Sequence, residues 1–270
     1  RNQELTDNAY VQANVIQITP QIGGTVISVA ADDTDYVQAG QVLVQLDPSD
    51  AKTALEQAQA NLAQAVRQVR GVYANNNTLQ AQLVVRQADI AKAQTEVARA
   101  QEDVSRRQAL VATGAVSKEE LAHATSLLIN AKNNLTAANA GVNAAKQQLN
   151  SNQSMTDGTD VQTHPNVLIA AAKVKEAFLA LKRTTITAPA NGYVAKRSIQ
   201  IGQRVPAGVP FMAVIPLQDV WVDANFKEVQ LRQIRVGQPV TLIADLYGSK
   251  VEYKGKVLGL SAGTGAAFSL

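Results

Sequence analysis

The sequence predicts a mixed α and β, elongated fold: a long antiparallel α-helical coiled-coil hairpin inserted into a split β domain, with a partial β-barrel part beside it. Three observations predict it. A short β-type segment recurs without a gap at a spacing of 168 positions. About 135 residues of heptad-patterned helix separate the two copies. Short alternating apolar and polar runs then occupy the C-terminal part, after Pro216.

The repeat aligns Ile18 with Ile186, Thr19 with Thr187, Gly24 with Gly192, Val26 with Val194, Val37 with Val205, Ala39 with Ala207, Gly40 with Gly208 and Pro48 with Pro216. Two copies so far apart cannot stack as a solenoid, whose repeats touch only their neighbours. They read as two halves of one small β domain, 18–47 and 184–216. Each half has a Gly turn followed by apolar alternation, Gly24-Thr25-Val26 and Gly192-Tyr193-Val194, and then Val-x-Ala-Gly. Glycine at these places suits tight turns needing positive φ, and Asn191-Gly192 is a strong turn dipeptide.

The excursion spans 48–183. From Ser49 onward Leu55, Leu62, Val69, Leu83, Ile90, Val97 and Val104 recur at steps of seven or a multiple of it, with Asn76 in the skipped slot. Three residues after each stand Ala58, Ala65, Val72, Leu79, Arg86, Ala93 and Ala100, of which Arg86 is the polar exception. A seam of this kind argues for a coiled coil. A second arm continues it through Leu121, Leu128, Leu135, Val142 and Leu149, with Ala124, Ala131, Ala138 and Ala145 beside them. Thr113-Gly114-Ala115 breaks the two arms, and Ser117-Lys118-Glu119-Glu120 begins the second with a capping box. So short a turn makes the arms an antiparallel hairpin with its tip at about 106–117. An arm of roughly 60 residues reaches ~90 Å at 1.5 Å per residue. Gly158 and the His164-Pro165 step interrupt the second arm, and the seam resumes at Val167, Val174 and Leu181. Heptads by themselves are equally at home in an internal scaffold and in a spacer with a docking tip.

Before and after the split domain, 1–17 and 217–270 read as barrel strands: Ala9 to Ile18, about Val220 to Ala224, Val240 to Leu246 and Glu252 to Leu260, with a short helix over Glu228 to Ile234.

Composition narrows the function. Aromatic residues make up only 4% of the chain, which suits a thin core better than a compact enzyme. A net charge of +3 with scattered Lys and Arg gives no basic stripe, so nucleic acid is a poor partner. Cysteine is absent, in keeping with an oxidising compartment. No run of about 18 apolar residues crosses a membrane. The chain opens at Arg1 without Met and stops at Ser269-Leu270 just after a Gly-rich stretch, Gly259 to Gly265, read as a flexible loop; both ends read as cut. His123 and His164 have no second His or Cys at metal-ligand spacing. Asp32, Asp33 and Asp35 lack the calcium-loop pattern and read as a solvated turn. No phosphate loop follows a strand. The chain is read as non-enzymatic, with no catalytic residue, cofactor or metal.

The two quasi-symmetric halves resemble the biotinyl/lipoyl carrier fold. A carrier presents a modified Lys at the turn between its halves; here the helical excursion replaces that turn, and nearby Lys52 falls on the first helix. A lipoyl-like domain split by a helical hairpin resembles the periplasmic adaptor (membrane fusion protein, HlyD-like) family, and within it the EmrA type. Thr6-Asp7-Asn8-Ala9-Tyr10-Val11, Trp221 to Glu228 and Val236-Gly237-Gln238-Pro239-Val240 are similar to segments of that type.

The resemblance implies a multidrug efflux subunit in the periplasm of a Gram-negative bacterium, held to the inner membrane by an N-terminal anchor expected beyond Arg1. It implies an inner-membrane major-facilitator transporter and a TolC-type outer-membrane channel as partners, and self-association as a trimer or hexamer. An adaptor for type I protein secretion shares the same fold. Arg106, Leu110 and Ser117 match the Arg-x3-Leu-x6-Ser tip pattern by which such adaptors dock onto the channel. Arginine would supply multi-donor bonds to carbonyls or carboxylates, and leucine would fill an apolar notch. Ser117 is also accounted for by its capping box, and Leu110 by closure of the hairpin end.

Overall fold

The computed structural model describes residues 3–248 and 250–261. The chain divides into two compact units, one of Arg1–Asp47 with Thr185–Leu270 and one of Pro48–Thr184. The Gly-rich stretch expected to loop after Gly259 runs beyond the described residues from position 262 on.

In the first unit the sequence repeat becomes a pseudo-twofold axis. The strands are β1 (Ala9–Ala13), β2 (Ile16–Ile18), β3 (Gly24–Val29), β4 (Tyr36–Val37) and β5 (Val42–Leu46). After the excursion come β6 (Thr185–Thr187), β7 (Gly192–Ala195), β8 (Arg204–Val205) and β9 (Met212–Ile215). They form two four-stranded sheets, β2-β9-β7-β4 and β6-β5-β3-β8. The pair Gly24↔Val205 has its mate in Val37↔Gly192, and Ile18↔Met212 has its mate in Val44↔Ile186. Connecting bonds recur at the same offset: Thr34 N–H donates to the Val194 carbonyl as Gly202 N–H does to that of Val26, and Ala30 N–H to that of Leu43 as Ser198 N–H does to that of Phe211. Each sheet therefore contains strands from both halves, and neither half can complete its backbone pairing alone.

The space between the sheets is filled by mates. Ile18 and Ile186, Val26 and Val194, Val37 and Val205, Leu43 and Phe211, and Leu46 and Val214 all belong to one buried cluster. Ala31 is the repeat mate of Ile199, and both are buried in the same cluster.

The glycines divide by role. Gly40 and Gly208 have φ of 84° and 80°, as their turns require. Gly24 and Gly192, expected in turns of the same kind, instead open strands β3 and β7. Gly192 is there for space: a Cβ would stand 2.6 Å from the Ile215 carbonyl oxygen and 2.8 Å from its carbon. The Asp cluster is more than a solvated turn. Asp33 accepts from Arg197 N–H at 2.9 Å, Asp32 pairs with the Arg197 guanidinium at 2.9 Å, and Asp35 accepts from Asp32 N–H at 2.8 Å. The cluster joins the first half to the second.

The strand expected over Ala9 to Ile18 is two strands. β1 pairs antiparallel with β10 (Val220–Ala224), whereas β2 pairs with β9. Ile16 and Gln17, assigned from sequence to the barrel segment 1–17, thus belong to the lipoyl-like sandwich. Ile16 packs against the sandwich core, which is what draws the strand away. α4 (Glu228–Leu231) is shorter than expected, and β11 (Pro239–Ile243) pairs with β12 (Glu252–Lys256). Among the described residues these strands make two separate two-stranded ladders, not a closed barrel.

The second unit is the hairpin. α1 (Ser49–Ala112) is 64 residues long, α2 is Lys118–Gln153 and α3 is Pro165–Lys182. Every expected seam residue in the three helices is buried or half-buried except Arg86. Opposite Arg86 the second arm carries Gly141, whose missing Cβ would lie 4.0 Å from the Arg86 side chain. Leu79, Leu83 and Leu149 form one apolar layer, and Val104, Ala124 and Leu128 another nearer the tip.

Between α2 and α3 the seam turns polar. Asn152 is 7% exposed; it donates to Asn76 Oδ1 at 2.8 Å and to the Val72 carbonyl at 3.1 Å, and accepts from Asn75 at 3.0 Å. Asn76 also donates to Thr156, and the Tyr73 hydroxyl donates to the Thr159 carbonyl at 2.6 Å. Gly158, at φ 69°, turns the chain, and Asp160 accepts from the N–H groups of Gln162 and Thr163. His164 caps α3 by accepting from Asn166 N–H, with Pro165 in the first turn.

Two stability effects follow. Gly192→Ala should cost about 2–3 kcal/mol of sandwich stability, because the obstacle is backbone, while Gly24→Ala meets only the Leu46 side chain at 3.3 Å and should cost about 1 kcal/mol or less. Denaturant titration read through the amide exchange of β9 checks the order. Asn152→Ala strands the partners of a buried amide and should cost about 1–3 kcal/mol. The double variant Asn76→Leu with Asn152→Leu removes both amides and should regain most of that in a helical-dichroism melt.

Candidate functional site

The hairpin tip is built by the way α1 stops. Leu110 lends its carbonyl to three donors, Thr113 N–H at 3.2 Å, Thr113 Oγ1 at 2.8 Å and Ala115 N–H at 3.1 Å. Gly114 follows at φ 74°, a conformation open to glycine and strained for other residues. α2 then starts at Ser117. Its hydroxyl accepts from Glu120 N–H at 3.1 Å, and the Glu120 carboxylate accepts from Ser117 N–H at 3.0 Å and from the hydroxyl at 3.2 Å. Both halves of the box expected from the sequence are made.

Arg106 and Leu110, four apart on the last turns of α1, share a helix face. Both are exposed, Leu110 at 44%. Among the described residues Arg106 has no hydrogen-bond or ion-pair partner, whereas its neighbour Arg107 is held by Asp103 at 2.9 Å. Leu110 therefore lies outside the apolar layer of Val104, Ala124 and Leu128 that closes the hairpin end. Ser117 is exposed but its hydroxyl is already used within the cap. Sequence reasoning missed Thr113, whose hydroxyl fastens the end of α1; a Thr directly before a Gly stop was its only signal.

The Glu120 carboxyl is held below the usual carboxylate range, chiefly by the Ser117 N–H bond, then by the Ser117 hydroxyl, with a further pull from the Arg107 charge. The other titratable candidates sit apart. His123 is exposed on α2 and His164 is buried as the α3 cap. Lys52 is exposed in the first turn of α1, and its N–H donates to the Pro48 carbonyl, so it is a helix residue and not the crest of a β turn. Among the described residues no group of three or more His, Cys, Asp or Glu is placed to hold a metal. No helix among them is long and apolar enough to cross a membrane.

The family described as "EMRA, alpha-helical hairpin domain" matches residues 49–184, half of the chain and nearly all of the helical unit. The chain belongs to the EmrA family of periplasmic adaptors. It is 49% identical over 265 residues to the fatty acid resistance protein FarA of Neisseria gonorrhoeae, covering 98% of this chain and 64% of the relative. To the multidrug export protein EmrA of Escherichia coli K12 it is 46% identical over 270 residues, covering all of this chain and 66% of the relative. The chain thus spans about two thirds of the length of these relatives. The solved membrane fusion protein Spr0693 of Streptococcus pneumoniae R6 shares the fold at 16% identity, with a TM-score of 0.53 over 94% of this chain and 84% of that one. EmrA-type proteins are multidrug efflux adaptors, a non-enzymatic kind of protein.

The tip cap carries a pH dependence in this EmrA-type chain. A carboxyl whose folded value is lowered stabilises the fold above its unfolded value and loses that contribution as pH falls through the lowered one. The protection of the amides of residues 118–121, taken relative to the intrinsic exchange rate at the same pH, should therefore fall selectively in acid below the usual carboxylate range. Glu120→Gln should abolish the pH step, and Ser117→Ala, which removes a cap worth about 1 kcal/mol, should raise exchange about fivefold at neutral pH.

Proposed function

We propose that this chain is the periplasmic part of the adaptor in a tripartite multidrug efflux pump. It links an inner-membrane transporter of the major-facilitator type to a TolC-type outer-membrane channel and carries out no catalysis itself. The full-length protein is held to the inner membrane by an N-terminal anchor and works as a trimer or hexamer. The hairpin sets the reach to the channel, and Arg106, Leu110 and Ser117 make the contact. In the segments beside the lipoyl-like sandwich, the ladders β1-β10 and β11-β12 are parts of a partial barrel that faces the transporter.

One observation carries this reading. At the far end of a 64-residue helix, Arg106 stands exposed, without an internal partner among the described residues, beside an exposed Leu110. A guanidinium that is already solvated and unpaired offers its five donors to another protein without breaking an internal bond. Leu110 on the same face offers the apolar half of such a contact. Ser117 contributes by fixing the turn, and its exposed edge meets the channel.

The test is an efflux assay in cells carrying the full-length protein, with expression level checked. Arg106→Asp reverses the charge at an exposed site and should lower drug resistance at least tenfold while leaving abundance and helical melting unchanged. Ser117→Asp preserves an N-cap and should fold normally, so loss of efflux in that variant marks Ser117 as a contact residue. Unchanged resistance in Arg106→Asp overturns the docking role of the tip.

A further inference from the structure

The two arms of the hairpin differ in one respect: α1 runs through as a single helix, whereas residues 154–164 part α2 from α3. His164 closes this joint from within. Its ring is buried and makes two bonds. Nε2 stands 3.0 Å from the Met155 carbonyl oxygen, and Nδ1 accepts from the Asn166 N–H at 3.2 Å. A carbonyl only accepts, so Nε2 carries the hydrogen; Nδ1 accepts, so it carries none. The neutral ring, in this one tautomer, is the form that makes both bonds. Met155 N–H in turn donates to the Asn152 carbonyl, and the Asn152 amide donates to Asn76 and to the Val72 carbonyl of α1. The ring thus ties the first turn of α3 to the polar layer between the arms.

A proton on Nδ1 treats the two bonds differently. The Nε2 bond to Met155 survives as a charge-assisted one. The Nδ1 lone pair is gone, so the Asn166 N–H loses its acceptor, and a cation stands at the positive end of the α3 dipole. Pro165 has no N–H, and the N–H groups of Val167 and Leu168 both bond to the His164 carbonyl, so the whole first turn hangs on this residue.

The charged and titratable groups around the joint leave the ring to itself. On α1, Arg67 and Arg70 are exposed and the Tyr73 hydroxyl donates to Thr159. In the joint, Asp157 is exposed and Asp160 accepts from Gln162 and Thr163. On α3, Lys173 pairs with Glu176 at 2.8 Å, and α2 carries no charge after Lys146. Among the described residues no hydrogen bond or ion pair joins any of these groups to His164.

We propose that His164 is a proton-operated latch on the joint of the second arm: protonation at Nδ1 uncaps α3 and loosens the arm there, while the hairpin on the tip side of the Asn76–Asn152 layer keeps its form. The bond that needs the free lone pair stabilises the joint where the ring is neutral and is lost as pH falls through the ordinary histidine range, about 6.5. The Glu120 cap at the tip responds only in stronger acid, so the two steps separate on the pH scale. The latch does not depend on what the tip docks to.

Amide exchange of the full-length protein at about pH 7.5 and about pH 5.5, either side of the histidine range, tests it. Protection of residues 166–169, taken relative to the intrinsic rate at the same pH, should fall about fivefold in acid, the scale of a lost N-cap, while that of 118–121 holds. His164→Asn keeps a cap acceptor that does not titrate and should show no step. His164→Ser is a second non-titrating cap and should behave alike, which keeps the test open if one variant fails to fold. Unchanged protection of the α3 first turn in the parent protein overturns the latch. A step of the same size in His164→Asn or His164→Ser assigns it to another group and overturns it as well, and so does a step that spreads to the tip. Arg106→Asp should keep the step, so failure of the docking role and failure of the latch are read separately.

Discussion

The exchange of strands between the two halves is the constraint from which the rest follows. β4 belongs to the first half by sequence and to the second half's sheet by pairing, and β8 does the reverse. An unpaired buried backbone group costs as much as a lost hydrogen bond, so each half is incomplete until the other arrives. The excursion between them is therefore closed at its base. Gln45 pairs with Thr185, and their side chains bond at 2.7 Å, across 140 residues of sequence. Closing so long a loop costs entropy that grows only slowly with its length. A long insertion is tolerable because one sandwich interface closes it, whatever the length inside.

Within the excursion the problem changes from closure to register. Alanine and leucine layers repeat every seven residues, and sliding one arm by a heptad would replace each layer with a similar one. The Asn76–Asn152 bond and the Asn76–Thr156 bond have no such substitute, because a slip would bury amides without partners. Arg86 opposite Gly141 acts in the same direction through volume. These features lie toward the middle of α1 and fix where its end meets the start of α2. The tip inherits its geometry from them: only in one register does the turn after Leu110 deliver Ser117 and Glu120 in position to cap.

The apolar periodicity was legible because it is a property of many residues at once. The seam of α1 and the repeat of the sandwich could each absorb an exception, such as Asn76 or Arg86, and still be read. Features that rest on one residue were less legible. Gly192 has the signature of a turn glycine, and only the approach of the Ile215 carbonyl shows that it lacks a Cβ for room. Asp32, Asp33 and Asp35 have the composition of a solvated turn, but Asp32 and Asp33 reach Arg197 far along the chain, 164 residues away for Asp33 and the Arg197 N–H. The break between β1 and β2 carries no Gly or Pro, so nothing local announced that one strand would serve two sheets. At the tip, spacing placed Arg106 and Leu110 on one face, but whether Arg106 was already paired depended on the neighbouring Arg107 taking Asp103.

Conservation of the axis inside and its loss outside have different physical origins. A core position is tied to its mate because both serve one buried cluster, as Ala31 and Ile199 or Leu43 and Phe211 do. An outer position has no such tie, and water accepts almost any side chain there. The Tyr36–Tyr193 pair is accounted for within the sheet, since its rings meet edge to face at 5.2 Å across β4 and β7 and such cross-strand aromatic pairs stabilise a sheet. At the tip, folding accounts for Ser117 and Glu120 but leaves Arg106 and Leu110 unexplained. There the residues that the fold does not need are the ones available for assembly.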